Sequence, residues 1–268
     1  VNGPMNGSTN GPTAASTAAS TAASTAASAP RAAESVLAVV IGRSGSKGLP
    51  RKNALPVAGV PMLARSVRFA KASREIGRVI VSTDGEEIAR IARDEDVEVF
   101  LRPDSVSNDQ ATVDSAVRHA VAASGSQDGI VVILYGNVPV RPADLADRAV
   151  RLLRETGADS VQSYYRVGKT HPYWMSQLDA DGRVSQFIEN RIYRRQELPP
   201  LFMPDGGVIA VRRASLLDVR EGEPHAFFGR DRRGIETREG DVIDVDSALD
   251  LAVAEAILAA REREGVSA

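Results

Sequence analysis

Beyond Ser35, apolar and polar positions follow two alternating rhythms. Short apolar runs at 36–41, 78–82, 97–100 and 130–134 read as buried strands. Between them lie stretches with helical spacing at 61–72, 85–94, 112–123 and 143–155, the first opened by a proline suited to an initial turn. Strand and helix taking turns predict a three-layer α/β domain, a mainly parallel sheet flanked by helices. The loops at the strands' carboxyl ends then build the site. The second half departs from this rhythm. Residues 173–178 and 184–188 flank Asp179-Ala180-Asp181-Gly182 and read as a β-hairpin, because Asp-Gly supplies the positive φ of a tight turn. A basic, proline-ended run follows at 191–200, then a core strand at 206–211, a further strand at 242–245 and a C-terminal helix at 247–261. The inserted hairpin is placed to cover a site or to meet a second subunit.

The first 34 residues obey neither rhythm. The unit Thr-Ala-Ala-Ser occurs four times between Thr13 and Ser28. Such small side chains bury too little apolar area to offset chain entropy, so 1–34 is expected to be a disordered, low-complexity leader. It lacks the basic and Leu/Val-rich regions of a secretory signal. Residues 35–268 then form one domain of ordinary size. Net charge is −2, with 33 basic and 35 acidic residues, which gives no polycationic footprint for nucleic acid or anionic membrane. There is no cysteine, which excludes disulfides, thiolate metal sites and cysteine nucleophiles. No apolar stretch approaches the ~20 residues that span a bilayer.

Candidate chemistry concentrates in the loop after the first strand, Gly42-Arg43-Ser44-Gly45-Ser46-Lys47-Gly48-Leu49-Pro50-Arg51-Lys52-Asn53. Its glycines permit close backbone approach and its cations offset phosphate charge, which suits a nucleoside triphosphate. The alternative is a basic, solvated strand-to-helix loop. The spacing is neither a P-loop nor a dinucleotide fingerprint. Near the other end, Asp244 and Asp246 alternate along a strand end and project to one side, as hard oxygen ligands of Mg2+ do. Asp246 could equally cap the helix that follows, and Asp250 reads as a solvated position. Asp84 either caps a helix or belongs to the site. His119, His171 and His225 lie too far apart for a local metal motif, and no G-x-S-x-G elbow is present.

The run 42–53 resembles the A-R-G-G-S-K-G-x-P-x-K-N signature of the cytidylyltransferases that activate sialic acid and related nonulosonic acids, with Arg43, Ser46, Lys47, Gly48, Pro50, Lys52 and Asn53 in register. Val-Ile-Val-Ser-Thr-Asp at 79–84, Arg102-Pro103 with Asp109, and Ile-Asp-Val-Asp at 243–246 resemble further segments of that family, as do Pro139 and Arg141. The likeness runs from about 36 to 260. It implies a nucleotide-diphospho-sugar-transferase-like fold and, for 164–204, a dimerisation insertion.

By this resemblance Gly42, Arg43, Ser46, Lys47, Asn53 and Arg102 hold CTP, with Arg43, Lys47 and Lys52 acting in catalysis and Mg2+ at Asp244 and Asp246. Tyr135 and Asn137 stand where the family has glutamine and threonine, at the acceptor. Arg195, in Arg-Gln-Glu-Leu-Pro, and the pair Phe227-Phe228 also match acceptor positions; the bland readings are a solvated hairpin and ordinary core packing. Lys169 precedes His171-Pro172-Tyr173-Trp174, a segment the family also carries. The implied reaction transfers CMP from CTP to an acidic keto sugar, releasing pyrophosphate, in a cytoplasmic homodimer that binds neither nucleic acid nor membrane. An octulosonic acid or phosphonate acceptor, or a non-catalytic nucleotide-binding module, remains open.

Overall fold

The computed structural model describes residues 34–45, 48–108 and 111–265. Residues 1–33 of the expected leader lie outside the described residues, as do Ser46 and Lys47 of the loop and Asp109, whereas Glu34, expected in the leader, belongs to the domain and pairs with Arg212 at 2.7 Å. The described elements belong to one unit that begins at Glu34.

Strand β1 (Val36–Ile41) is buried along its whole length, as an unbroken aliphatic run must be when both faces of a sheet are covered. It pairs in parallel with β4 (Arg78–Thr83) on one side and β6 (Ile130–Tyr135) on the other, aligning Ile41 with both Ser82 and Tyr135. Beyond β4 lies β5 (Glu98–Leu101), also parallel. Beyond β6 come β10 (Phe202–Arg212), antiparallel to its neighbours, then β7 (Ser160–Arg166) and β11 (Arg232–Thr237), which gives the order β11-β7-β10-β6-β1-β4-β5. The chain leaves β1 toward β4 and β5, then returns past β1 to β6. That reversal opens a crevice at the carboxyl ends of β1 and β6, where α/β sheets bind ligands.

Helices α1 (Met62–Ala72), α2 (Glu86–Asp94) and α4 (Leu145–Thr156) cover one face, packing Leu63, Val67, Ile88 and Leu153 against Val36, Ala38 and Val40. Helix α3 (Val113–Ala123) and the short α5 (Arg213–Leu217) cover the other, with Val117, Val121 and Leu216 on Leu37, Val39 and Ile41. A third cluster joins Val57 and Met62 to Val140, Val245, Ala254 and Leu258. Through it, the small hairpin of β2 (Pro56–Val57) and β3 (Val60–Pro61) holds α6 (Ala248–Arg263), so the C-terminal segment is anchored beside the crevice.

Several expectations shift. The run at 242–245 forms a single bridge, Ile243 to Val140, instead of a strand. Strands β7 and β11 occur where no strand was read. Their buried positions include Ser160, Ser163 and Thr237, whose hydroxyls bond to Phe228, Asp205 and Tyr164, so burial there leaves no apolar alternation. The hairpin forms as a separate two-stranded sheet, β8 (Ser176–Leu178) and β9 (Val184–Gln186), its turn closed by the Asp179 carboxylate accepting from the Asp181 and Arg183 amides. The excursion carrying it departs at Val167, whose N–H bonds to Leu201 O, so 164–166 and 202–204 are strands of the main sheet.

Candidate active site

Gly42 follows β1 and donates to Ser82 O at 3.1 Å. A Cβ there would lie 2.9 Å from Leu63 and 3.3 Å from Asn53, so any side chain at the exit from β1 would have to displace these two buried residues. The buried Asn53 donates to Arg43 O at 2.8 Å, while its own Oδ1 is buried without a partner. The Ser44 amide donates to Asp84 Oδ1 at 2.7 Å. Asp84 therefore braces the loop, and the first residue of α2 is preceded by Gly85 with no side-chain cap. Arg102, at the end of β5, donates to Ser82 O at 3.3 Å and stands 3.9 Å from Asp84. Burial holds its pKa below the ordinary arginine value, partly offset by Asp84 and reinforced by Arg43. Its Nε is buried with no partner.

These groups line a cavity of about 250 Å3 that includes Gly42, Arg43, Lys52, Asn53, Arg102, Thr112, Tyr135 and Asn137. Its edge meets the acidic residues directly. Lys52 Nζ bonds to Asp246 Oδ1 at 2.5 Å, and a Cβ at Gly48 would lie 3.0 Å from Asp246 O. The loop after β1 and the segment before α6, nearly 200 positions apart in sequence, thus form one surface.

Asp246 does not cap α6. Ser247 does, in a capping box with Asp250, whose carboxylate also accepts from the Asp246 and Ser247 amides. Asp250 is therefore a structural acceptor instead of a solvated face, and it leaves Asp246 facing the crevice. Asp244 is held by Asn137, whose amide donates both to its carboxylate and to Val245 O. Although Asp244 keeps solvent contact, neighbouring protein desolvates it and Asp246 repels it. Together these push its carboxyl up to about 6 against the pull of Lys52 and Arg141. Arg141 is fully buried, donating to the carbonyls of Tyr135, Val138 and Gly207 and to the Ser66 hydroxyl, which fixes the backbone of the 135–138 turn.

Two larger cavities flank this centre. One, of about 640 Å3, is lined by Gln162, Asp205, Gly206, Arg238, Glu239, Asp244 and Asp250. The other, of about 590 Å3, is lined by Thr112, Gln162, Tyr164, His225, Phe227, Phe228, Arg232 and Arg233. Tyr135 borders all three cavities. Phe227 and Phe228 stack at 4.1 Å, the former also packing into the α3 layer, so pocket lining and core packing are both met in that pair. Asn137 sits with Asp244 instead of in either flanking cavity. Arg195 lies on the excursion, beside Gly168, and lines none of the three cavities. His171 is buried and bonds to Pro199 O and the Tyr173 amide, an architectural role. Gln162, Tyr164, Arg232 and Arg233 were not read from sequence; they sit on the two strands that the hydrophobic pattern does not show.

A family model described as Cytidylyltransferase matches residues 37–197. The chain is 29% identical over 217 residues to an N-acylneuraminate cytidylyltransferase of Streptococcus agalactiae, covering 80% of this chain and 51% of the relative. It is 26% identical over 231 residues to a CMP-N,N'-diacetyllegionaminic acid synthase of Legionella pneumophila, covering 83% and 96%. The chain spans about half the length of the first of these. Among solved structures, a CMP:2-keto-3-deoxy-manno-octonic acid synthetase complexed with CTP superposes with a TM-score of 0.65 at 16% identity, over 85% of this chain and 99% of that one. At that identity the likeness concerns the fold.

Proposed function

We propose, from the premise that this chain belongs to the cytidylyltransferase family, that it transfers CMP from CTP to a 2-keto-3-deoxy acid sugar of the nonulosonic class and releases pyrophosphate. The observation that carries this reading is the contact of Lys52 with Asp246, which puts a cationic, glycine-lined cradle and a carboxylate pair on one crevice.

In the proposed reaction the acceptor's anomeric oxygen forms a bond to the α-phosphorus of CTP. The bond from that phosphorus to the bridging oxygen breaks, its electron pair leaves with pyrophosphate, and the hydroxyl proton passes to water or to the departing phosphate. Arg43, Lys52 and Arg102, with Lys47, neutralise phosphate oxygens and fix the chain in line for attack. Asp244 and Asp246 fit a divalent ion by donor chemistry: they are hard carboxylate oxygens, close enough for Asp246 to raise the pKa of Asp244, and a cation between them would relieve that repulsion. Bound there with the phosphates, Mg2+ would supply charge neutralisation.

The excursion after β7 exposes Trp174, Met175, Leu178, Val184, Phe187 and Tyr193, which supports a homodimer formed through this face. No helix among the described residues is long and apolar enough to cross a membrane. Consumption of CTP would place the protein in the cytoplasm.

The test is pyrophosphate release with CTP, ATP, GTP or UTP across a panel of 2-keto-3-deoxy acids with Mg2+ present. CTP-selective turnover of a nonulosonic acid is expected. Preference for another nucleotide, or no turnover of any acid, would refute the assignment.

A further inference from the structure

The two flanking cavities differ in charge, and the difference decides where an anionic acceptor can lie. The first presents Asp205, Glu239, Asp244 and Asp250 against Arg238 alone. In the second, the acidic Asp114 is paired with Arg118, and Arg233 is paired with Asp231. Arg232 differs from both. Its guanidinium donates to Gly229 O and His225 O, each at 2.9 Å, and lies 5.3 Å over the Phe228 ring. Carbonyls and a ring orient it without cancelling its charge, and no carboxylate among the described residues pairs with it. A rigid cation with uncompensated charge at a cavity wall is an anion receptor.

The second group is the phenol of Tyr135. It stands where all three cavities meet, its ring packed beside Gly206. The hydroxyl makes no hydrogen bond among the described residues. A phenol keeps its proton at neutral pH, so the group arrives as a donor.

We propose that Arg232 and the Tyr135 hydroxyl are the specificity-determining pair that reads the acid group of the acceptor, seating it in the cavity walled by Phe227 and Phe228 and not in the acidic one. This deepens the proposed function and rests on it. The ligand class is an acid with an apolar or flat portion for the phenylalanine pair. Arg232 supplies charge from one wall, and Tyr135 donates from the side of the nucleotide.

The experiment compares, with CTP and Mg2+, the best-used 2-keto-3-deoxy acid from the panel and the methyl ester of the same acid. Wild type should prefer the acid. Arg232→Gln and Tyr135→Phe should each raise the KM for the acid at least about tenfold, the scale of one charged hydrogen bond. Each should also shrink the acid-to-ester preference by a similar factor, while for Arg232→Gln, at a residue that does not line the nucleotide cavity, the Kd of CTP, read by calorimetry, stays within about twofold. Arg232→Lys should restore most of the preference by restoring the charge. Glu239→Gln, in the acidic cavity, should change neither quantity. Tyr135→Phe keeps the ring and so keeps the test usable if the arginine variants unfold. Unchanged acid-to-ester preference in both variants, with wild type active, overturns the subsite and spares the transferase reading. A shifted acid KM in Glu239→Gln alone also overturns it. Wild type inactive on every acid overturns both.

Discussion

The two ends of the crevice, one proposed for the nucleotide and the other for the acceptor, are built by opposite strategies. The nucleotide end draws Gly42, Arg43, Lys52 and Asn53 from one continuous segment, and adds Asp84 and Arg102 from the ends of β4 and β5. Its cations are braced by short backbone contacts and converge on one small cavity. The acceptor end is assembled from β7 and, on the far side of the excursion, from β10, the turn at Phe227 and β11, brought together by the order of the strands in the sheet. The first end can be specified by a short motif, because each residue's position follows from the residues beside it. The second depends on sheet order, so its chemistry can change without disturbing the first. Asp244 and Asp246 join the two, held by Asn137 on one side and Lys52 on the other.

The largest effect should come from the joint. Asp246→Ala removes an exposed side chain that caps no helix, so circular dichroism and Tm should stay near wild type. Turnover should fall roughly a thousandfold if Asp246 holds the proposed Mg2+, since losing that ligand would forfeit several kcal/mol of charge stabilisation. Unaltered turnover would take Asp246 out of the reaction and leave the two ends unconnected. Next comes Arg102→Met, confined to the nucleotide end. Loss of a charged hydrogen bond of about 1.5–3 kcal/mol predicts a CTP Kd raised about 10- to 100-fold, with the acceptor KM little changed. A large fall in Tm without a change in CTP affinity would instead make the buried guanidinium a packing element.

The contrast in construction also explains what the sequence disclosed. The loop at 42–53 was legible because tight geometry leaves residue-level traces: a side chain at Gly42 would have to displace Leu63 and Asn53, and the cations are consecutive with the turn that carries them. Most of the sheet was legible because β1, β4 and β6 are buried aliphatic runs. Strand β7 was not, because Ser160 and Ser163 enter the interior by bonding to Phe228 O and Asp205. Burial by hydrogen bond looks, in a string of letters, like exposure. The run 242–245 misled in the other direction: it is apolar at Val242 and Val245, yet Asn137 and the crevice claim its backbone and Asp244. Asp250 reads as surface in the sequence, yet with Ser247 three positions earlier it closes a capping box.

The comparison sharpens if the acceptor end is the one that needs a second copy. Arg195 sits on the excursion and lines none of the three cavities described above. Phe187 on the same excursion is 57% exposed. If the proposed homodimer forms through this face, Phe187→Asp should shift the protein toward monomer in sedimentation, because a charge in an apolar contact is costly. If Arg195 of the partner subunit reaches the acceptor, the acceptor KM should rise about tenfold in parallel while the Kd of CTP holds. A monomer with wild-type acceptor KM would show that each chain completes both ends alone.

The smallest expected effect tests whether the joint stores unfavourable charge. Asp244 has a folded pKa of about 6, raised from 3.8 by desolvation first and Asp246 second. A raised carboxyl means that the native state binds more protons than the unfolded state between those two values, so stability falls as pH rises through that window and the penalty is fully present above it. Asp244→Asn removes the titrating charge and keeps an oxygen for the Asn137 amide. Without Mg2+, it should therefore melt higher than wild type at pH 8 and equal to it near pH 3. Solvent contact at the carboxylate discounts the effect to roughly 1 kcal/mol, about 2–4 °C for a domain of this size. Mg2+ should narrow the gap at pH 8 by stabilising wild type more than the variant. An Asp244→Asn variant that melts lower than wild type at pH 8 would mean that the pair is stabilised by Lys52 and Arg141 as it stands, and that the two ends meet without stored repulsion.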